Sequence, residues 1–470
     1  MQILHVAAEC YPYAKAGGLG DVVGALPKYQ NDLGHTASVI VPMHRTKFLY
    51  QHTWDTIYKG TINLGGWVLP YTIIKEQKNT LGFELFCVDI NGLLDRENIY
   101  SYSDDEDRFL AFQVAVVDWL SSWQLPPNVV HVHDHHAGLI PFIMQHCFAY
   151  QQLATVQTIL TIHNAQYQGM LPWSKSRMLP AWDSYAWGKL DWNDAINPLA
   201  SAVKCATKVT TVSPSYMEEI RTNANGLEAL FEYERGKCVG IINGIDTVVW
   251  NPETDTLITK NYTTATVAEG KLASKTALCK QFGLDVTKPL MIFIGRLVGE
   301  KAADILPQTF SEAIYQYQGN VSFLVLGSGD TKVEHQLTSL NTKFAGYYNS
   351  RIAYNEALSH LMYAGADFIL MPSRVEPCGL NQLYAMRYGT VPIVRNTGGL
   401  KDTVVDIGDA NGYGFKFENA TVQDMIHTIG RALDLYYNYN TQLQQMRQTM
   451  MELNFSWVNS AAKYVELYEN

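Results

Sequence analysis

The sequence predicts an α/β protein built of two doubly wound domains, and three observations predict it. Short apolar runs bounded by Gly, Pro, Asp or Asn alternate with longer helix-like segments, the pattern of parallel sheets covered by helices. The second half of the chain repeats the plan of the first. The chain has 470 residues, more than one core supports, since single cores stop growing at about 250 to 300 residues.

In the first half, strands are expected near residues 3–8, 38–41, 129–133, 158–163 and 208–212, with a helix over 21–33. Gly and Pro punctuate the chain at Asn243-Gly-Ile-Asp246 and Trp250-Asn-Pro252, which predicts a hinge and domains over 1–243 and 244–455. In the second half, residues 289–295 read as a strand leading to a helix at 303–317. Residues 321–326 run into Gly327-Ser328-Gly329, and 367–371 and 391–394 are further strands. No solenoid period and no low-complexity segment interrupts this plan.

Composition excludes several classes. Lys and Arg total 35 against 45 Asp and Glu, a net charge of -10, which argues against a nucleic-acid partner or a polybasic membrane surface. An anionic ligand must then find a local cluster of positive groups. The seven cysteines are odd in number and scattered, with no Cys-x-x-Cys pair, so a reduced cytoplasmic protein is expected. Met1 to Val6 enter a strand-like run directly, without the basic and apolar regions of an export signal. The apolar runs at 290–294 and 323–326 are strand-length, against the ~20 residues that span a bilayer.

The loops that follow the strands carry the chemistry. Lys15-Ala-Gly-Gly18-Leu-Gly-Asp21 precedes a helix, and glycines there let backbone amides approach an anion. The same residues also fit a tight turn with Asp21 as helix cap and Lys15 solvated. His131-Val-His133-Asp134-His135-His136 offers metal-ligand types, yet its spacing is one residue short of the zinc-hydrolase pattern. The other reading puts His131 and His133 on one strand face, with Asp134 at the strand's carboxyl end, where open sheets bind ligands. His163 and Asn164 end another strand in the same way, His163 as a neutral hydrogen-bonding group or as a structural histidine. Arg296 and Lys301 put two cations past a strand end, a pair suited to a diphosphate or simply solvated. Glu376-Pro-Cys378-Gly379-Leu380-Asn381 follows a strand and opens a helix. Amides near Gly379 and Leu380 are placed to hold phosphate oxygens, and Glu376 either faces the group those phosphates carry or stabilises the helix start.

Taken in order, Lys15-x-Gly-Gly-Leu-Gly-Asp-Val, HVHDHHAG, Thr161-Ile-His-Asn164, TVSPSY, NGID with WNP, GRL with Lys301, GSGD, EPCGLNQLYAMRYGT and TGGLKDTV resemble bacterial glycogen synthases and plant starch synthases. The resemblance covers nearly the whole chain. It implies the GT-B architecture, with two Rossmann-like domains facing a cleft and a C-terminal helix, here 456–470, returning to the first domain. It also implies retaining glucosyl transfer to an α-1,4-glucan without metal or other cofactor. The donor is ADP-glucose, with UDP-glucose accepted by some members; neither nucleic acid nor membrane takes part. By the same resemblance Glu376, His163, Lys301 and Arg296 are catalytic. Lys15, Gly18, Asp21, Asp134, Asn164, Asn243, Tyr354, Cys378, Gly379, Leu380 and Asn381 bind substrate. Tyr354, just past a strand, is positioned either to stack on the base or to fill the core. Ala302, Glu300 and Asn381 depart from the usual Gly, Gln and Thr, and Ala200 stands where many members carry Lys.

Two rivals make different demands. A metal-dependent hydrolase would use the cluster from His131 to His136. A non-catalytic glucan binder would use Tyr167, Trp173, Trp182, Tyr185, Trp187 and Trp192 as stacking surfaces, unless a helical cap buries them.

Overall fold

The computed structural model describes residues 1–470. Its contacts divide the chain into one unit of Met1–Asn243 with Trp457–Asn470 and a second of Gly244–Ser456.

The first unit holds β1 (Gln2–Val6), β2 (Thr36–Pro42), β3 (Trp54–Leu64), β4 (Trp67–Glu76), β5 (Glu84–Asp89), β6 (Val129–His133) and β7 (Gln157–Ile162). After a short ribbon of β8 (Asp191–Trp192) and β9 (Ala195–Ile196) come β10 (Lys208–Thr211) and β11 (Cys238–Gly240). They form a nine-stranded sheet in the order β11-β10-β7-β6-β1-β2-β5-β4-β3. It is parallel from β11 to β5, and the hairpin β3–β4 adds an antiparallel edge. The order reverses at β1, whose neighbours are β2 and β6. The carboxyl ends of β1 and β6 therefore flank the switch point at which such sheets bind ligands.

Period two sorts side chains on one face of this sheet. Ile3, Val129 and Ile159 pack with Val22, Leu26 and Tyr29 of the helix Gly18–Asp32 and with Trp457, Ala461, Tyr464 and Tyr468 of the helix Trp457–Glu469. Burial of these large apolar groups is worth roughly 1.5 to 3 kcal/mol each. The helix expected from residue 21 begins at Gly18, since Gly17 is its N-cap, so Asp21 lies in its first turn and is not the cap.

The second unit contains β12 (Leu290–Ile294), β13 (Ser322–Gly327), β14 (Tyr348–Ile352), β15 (Phe368–Met371), β16 (Val391–Arg395) and β17 (Phe415–Phe417). They pair in the order β14-β13-β12-β15-β16-β17, all parallel. Counted within the unit this is 3-2-1-4-5-6, the dinucleotide-fold order, with its switch point between β12 and β15. Both faces are covered. One layer includes Phe310, Phe323, Ile393 and Ile429, the other Leu278, Ile292, Leu324 and Met362, all buried. The strands accordingly read as continuous apolar runs. No helix of the chain is long and apolar enough to cross a membrane.

Candidate functional site

In the second unit the loops after β12 and β15 carry the charged groups. Lys301, in the 3-10 turn Gly299–Lys301, donates to Glu376 Oε2 at 2.5 Å, and Ser373 Oγ donates to the same oxygen at 2.8 Å. Glu376 is buried at 6% exposure, so its charge needs those two donors. Arg296 leaves the end of β12 with most of its side chain in solvent and Nη2 3.2 Å from Glu300 Oε2. Arg374 holds the same turn in place, with a forked pair of bonds to Asp304 at 2.6 and 2.9 Å and a third bond to the Gly299 carbonyl. The switch point thus brings Lys301 and Glu376 into contact and places Arg296 at the same strand end.

Cys378, Gly379 and Leu380 lead into the helix Asn381–Arg387, of which Leu380 is the N-cap. Gly379 has φ +75°, a left-handed backbone that a side chain would strain. Asn381, where the family usually has Thr, donates its amide to the Ile294 carbonyl at 2.7 Å, tying the helix start to the end of β12. Ala302, where Gly is usual, adopts the left-handed conformation at φ 51°. The segment Thr397-Gly398-Gly399 closes under the Glu376 loop, with Gly399 N–H bonded to the Glu376 carbonyl at 3.1 Å. The Gly-Gly pair is the one mark of this close approach in the sequence. Tyr354 follows β14 and is 78% exposed, which removes the core-aromatic reading.

In the first unit, Lys15 Nζ pairs with Asp21 Oδ1 at 2.7 Å. The Gly-rich loop is already in contact with an anion of the chain itself. Glu9 Oε2 accepts from Ala16 N–H at 2.6 Å and Gly17 N–H at 2.9 Å, while Tyr100 OH donates to Glu9 Oε1 at 2.7 Å. Glu9 and Tyr100 belong to none of the motifs above; the only sign of them in the sequence is a carboxylate just after a strand. A Cβ on Gly18 would meet nothing within 4 Å, so open space borders the start of the helix.

Asp134 has φ 55° and ψ -171°, a backbone region close to glycine-only, and its side chain is buried at the end of β6. Its Oδ1 accepts from His163 N–H at 2.7 Å. Desolvation pushes its pKa up to about 7, opposed by the backbone amides of His163 and Asn164 and helped by the charge of Glu9. Asn164 Oδ1 accepts from Gln166 N–H at 3.0 Å. Asn243 is buried with its amide oxygen unpaired within the chain, an arrangement a ligand or solvent would relieve. Ala200 is fully buried in the helix Pro198–Cys205 and presents nothing to an acceptor.

The histidine cluster does not assemble as the hydrolase reading requires. His131 and His133 lie on β6, His135 and His136 in the next turn, and the imidazole that joins the first two is His5. Every ring nitrogen of His5, His131 and His133 already has a hydrogen-bond partner in the chain. Of the six aromatics in the glucan-binder reading, Tyr167, Tyr185 and Trp187 are exposed, and the other three are half-buried.

Residues 2–233 match the starch synthase catalytic domain and residues 274–449 the glycosyl transferases group 1. The chain is 49% identical to a glycogen synthase of Flavobacterium johnsoniae, over 100% of this chain and 98% of that one. It is 36% identical to a glycogen synthase of Streptococcus gordonii, over 100% of both. Among solved structures, the catalytic domain of starch synthase IV from Arabidopsis thaliana bound to ADP and acarbose superposes with TM-score 0.89 at 31% identity, covering 100% of this chain and 98% of that one. Sucrose-phosphate synthase from Thermosynechococcus elongatus shares the fold, at TM-score 0.62 and 16% identity over 99% of this chain and 98% of that one. With two Rossmann-like units, matching family models in both and full-length identity to glycogen synthases, the chain belongs to the glycogen and starch synthase family of glycosyltransferases and is a hexosyltransferase.

Proposed function

We propose that the chain transfers glucose from ADP-glucose to the non-reducing end of an α-1,4-glucan with retention of anomeric configuration. The observation that carries this reading is the contact of Lys301 with buried Glu376 at the β12/β15 switch point, with Arg296 at the same strand end. Breaking the anomeric bond puts negative charge on the departing diphosphate and positive character on the sugar, so preorganised charge of both signs is needed. Arg296 and Lys301 meet the diphosphate. Lys301 keeps donors to spare, because its ammonium carries three and one serves Glu376. Amides around Cys378, Gly379 and Leu380 assist, and Asn381 acts by holding that turn to β12. Glu376 stabilises the developing positive charge.

On the first unit, His163 and Asn164 orient glucose, Asp134 faces the acceptor, and Lys15, Gly18, Asp21 and Asn243 bind substrate. Tyr354 stacks on the adenine. The relative bound to ADP supports an adenine nucleotide over UDP-glucose. All seven cysteines are free thiols, which suits the cytoplasm.

The test is incubation with ADP-glucose or UDP-glucose and glycogen, following nucleotide diphosphate release with and without EDTA. Faster, EDTA-insensitive release from ADP-glucose, with radiolabel entering glycogen, is expected. Glycogen binding without release would instead favour the glucan-binder reading.

A further inference from the structure

Beneath the first unit's candidate site an unbroken line of buried polar side chains runs inward from His163, and beyond that residue the proposed reaction uses none of them. His163 Nε2 lies 3.0 Å from His133 Nδ1, and His133 Nε2 lies 3.1 Å from His5 Nδ1. His5 Nε2 lies 2.8 Å from Gln30 Oε1, and Gln30 Nε2 donates to Tyr468 OH at 2.9 Å. From there Tyr468 OH reaches His131 Nδ1 at 2.7 Å, and His131 Nε2 reaches Thr161 Oγ1 at 2.6 Å. His5, Gln30, His131, His133 and Thr161 are 0% exposed. The line joins the carboxyl end of β7 to the helices Gly18–Asp32 and Trp457–Glu469.

We propose that His133, His5 and Gln30 are positioning residues for His163, fixing through consecutive hydrogen bonds which of its ring nitrogens carries the proton.

The argument is one of direction. Desolvation lowers the His163 pKa to about 3 and that of His5 to about 4, and puts His133 well below the ordinary value, so the rings are neutral. A neutral imidazole has one N–H and one bare nitrogen. In an unbroken line each ring must therefore donate on one side and accept on the other, and a choice at one end is passed to the other. Gln30 makes the choice, because its amide nitrogen serves Tyr468 and its oxygen faces His5. His5 must then donate from Nε2 and accept at Nδ1. His133 donates from Nε2 and accepts at Nδ1, and His163 donates from Nε2. His163 Nδ1 is left without a proton, an acceptor suited to a sugar hydroxyl. This last step rests on the reading that His163 touches glucose; the tautomer assignment does not.

The test has a spectroscopic and a kinetic arm on the full chain. Imidazole ¹⁵N spectra of histidine-labelled protein, with His163 assigned by His163→Gln, should show the Nε2–H tautomer in wild type. In His5→Phe and Gln30→Leu the line loses an acceptor, and reversal leaves a bare lone pair in place of an unmet N–H. His163 should therefore move toward the Nδ1–H form. Leu26→Ala, which removes apolar packing from the same helix, should leave the His163 signals unmoved. Turnover in His5→Phe and Gln30→Leu should fall about tenfold, as for one misdirected hydrogen bond, with KM for glucan little changed. A wild-type Nδ1–H ring, or His163 signals unmoved by both line-breaking variants, would overturn the proposal. Full turnover in His163→Ala would remove His163 from the site while the spectra still judged the line. If neither line-breaking variant folds, Tyr468→Phe gives the same reading, since the Gln30 amide then turns over.

Discussion

A Cβ placed on Gly398 would stand 2.0 Å from the Glu376 carbonyl oxygen, and one on Gly399 would stand 2.0 Å from that of Cys378. The two glycines are a floor on which the loop carrying Glu376 rests, backbone against backbone. Gly398 also has φ +45°. Neither contact can be relieved by turning a side chain. Gly399→Ala should therefore shift the loop, lowering stability by about 1–3 kcal/mol and turnover as well, in thermal melts and steady-state assays. A variant with wild-type melting and turnover would contradict the close packing.

Arg296→Ala, Lys301→Ala and Glu376→Ala should each reduce kcat by ~10²- to 10³-fold, with smaller changes in KM for donor, because these contacts strengthen as charge develops. The two cations should differ in stability. Arg296 is largely exposed, so its loss should leave the melting temperature unchanged. Removal of Lys301 strips one of two donors from buried Glu376 and should lower stability by about 1–3 kcal/mol. Equal melting temperatures for the two variants would count against the buried pair.

Acid should destabilise the fold through its histidines. Burial lowers His5 and His44 to about 4, from 6.5 when unfolded. Between those values the unfolded chain binds protons that the native state refuses, so stability falls as pH drops from 7 toward 4. Each group contributes about 2 kcal/mol of that loss by pH 5. Urea titrations at several pH values should show the decline, and His5→Phe should make it shallower. A flat profile from pH 7 to 5 would contradict the buried neutral rings.

Asp134 runs the other way. Its pKa is raised to about 7 against 3.8 unfolded, so the native state binds the extra proton and stability is lost as pH rises through that window. Asp134→Asn should be more stable than wild type at pH 8, on the order of a few kcal/mol. It should also lose the inflection near pH 7 expected in the wild-type kcat/KM profile. An inflection that survives the substitution would assign it to another group.

Tyr354→Ala should reduce donor kcat/KM by roughly 10- to 100-fold, the worth of one stacked base, and more for ADP-glucose than for UDP-glucose because purine offers the larger face. Equal small losses, or a wild-type preference for UDP-glucose, would reject the stacking role.

The central parallel strands were legible because burial on both faces writes them as apolar runs, as in Leu290–Ile294, whereas β5 and the short strands β11 and β17 were not. The edge hairpin β3–β4 was not. Trp54–Leu64 is mostly exposed and mixes Asp, Lys and Thr with its apolar residues, and its turn at Gly65-Gly66 was the only clear mark. In the site, Lys301 and Glu376 could be named because their residue types and loop positions suit a diphosphate and what it carries. Their direct contact could not be read, because it depends on β12 and β15 being neighbours although they are far apart in sequence. Glu9 escaped for a related reason: its partners, the Ala16 and Gly17 amides, are backbone groups that no side-chain pattern announces. The line from His163 to Tyr468 depends on strand pairing and on a helix at the opposite end of the chain, so only His131, His133 and His163 were visible as candidates.

The helix Trp457–Glu469 has a consequence for biosynthesis. Ile3, Val22 and Val129 are made early, yet Trp457, Ala461 and Tyr464, which complete their apolar cluster, are translated after the whole of 244–456. The first unit to be synthesised is then the second able to finish folding. Until it does, its uncovered face is a surface for chaperones or for aggregation. Premature termination near residue 456 would leave the second unit's chain complete and the first permanently open, a lesion that quality control would meet as misfolding before any assay met it as lost activity.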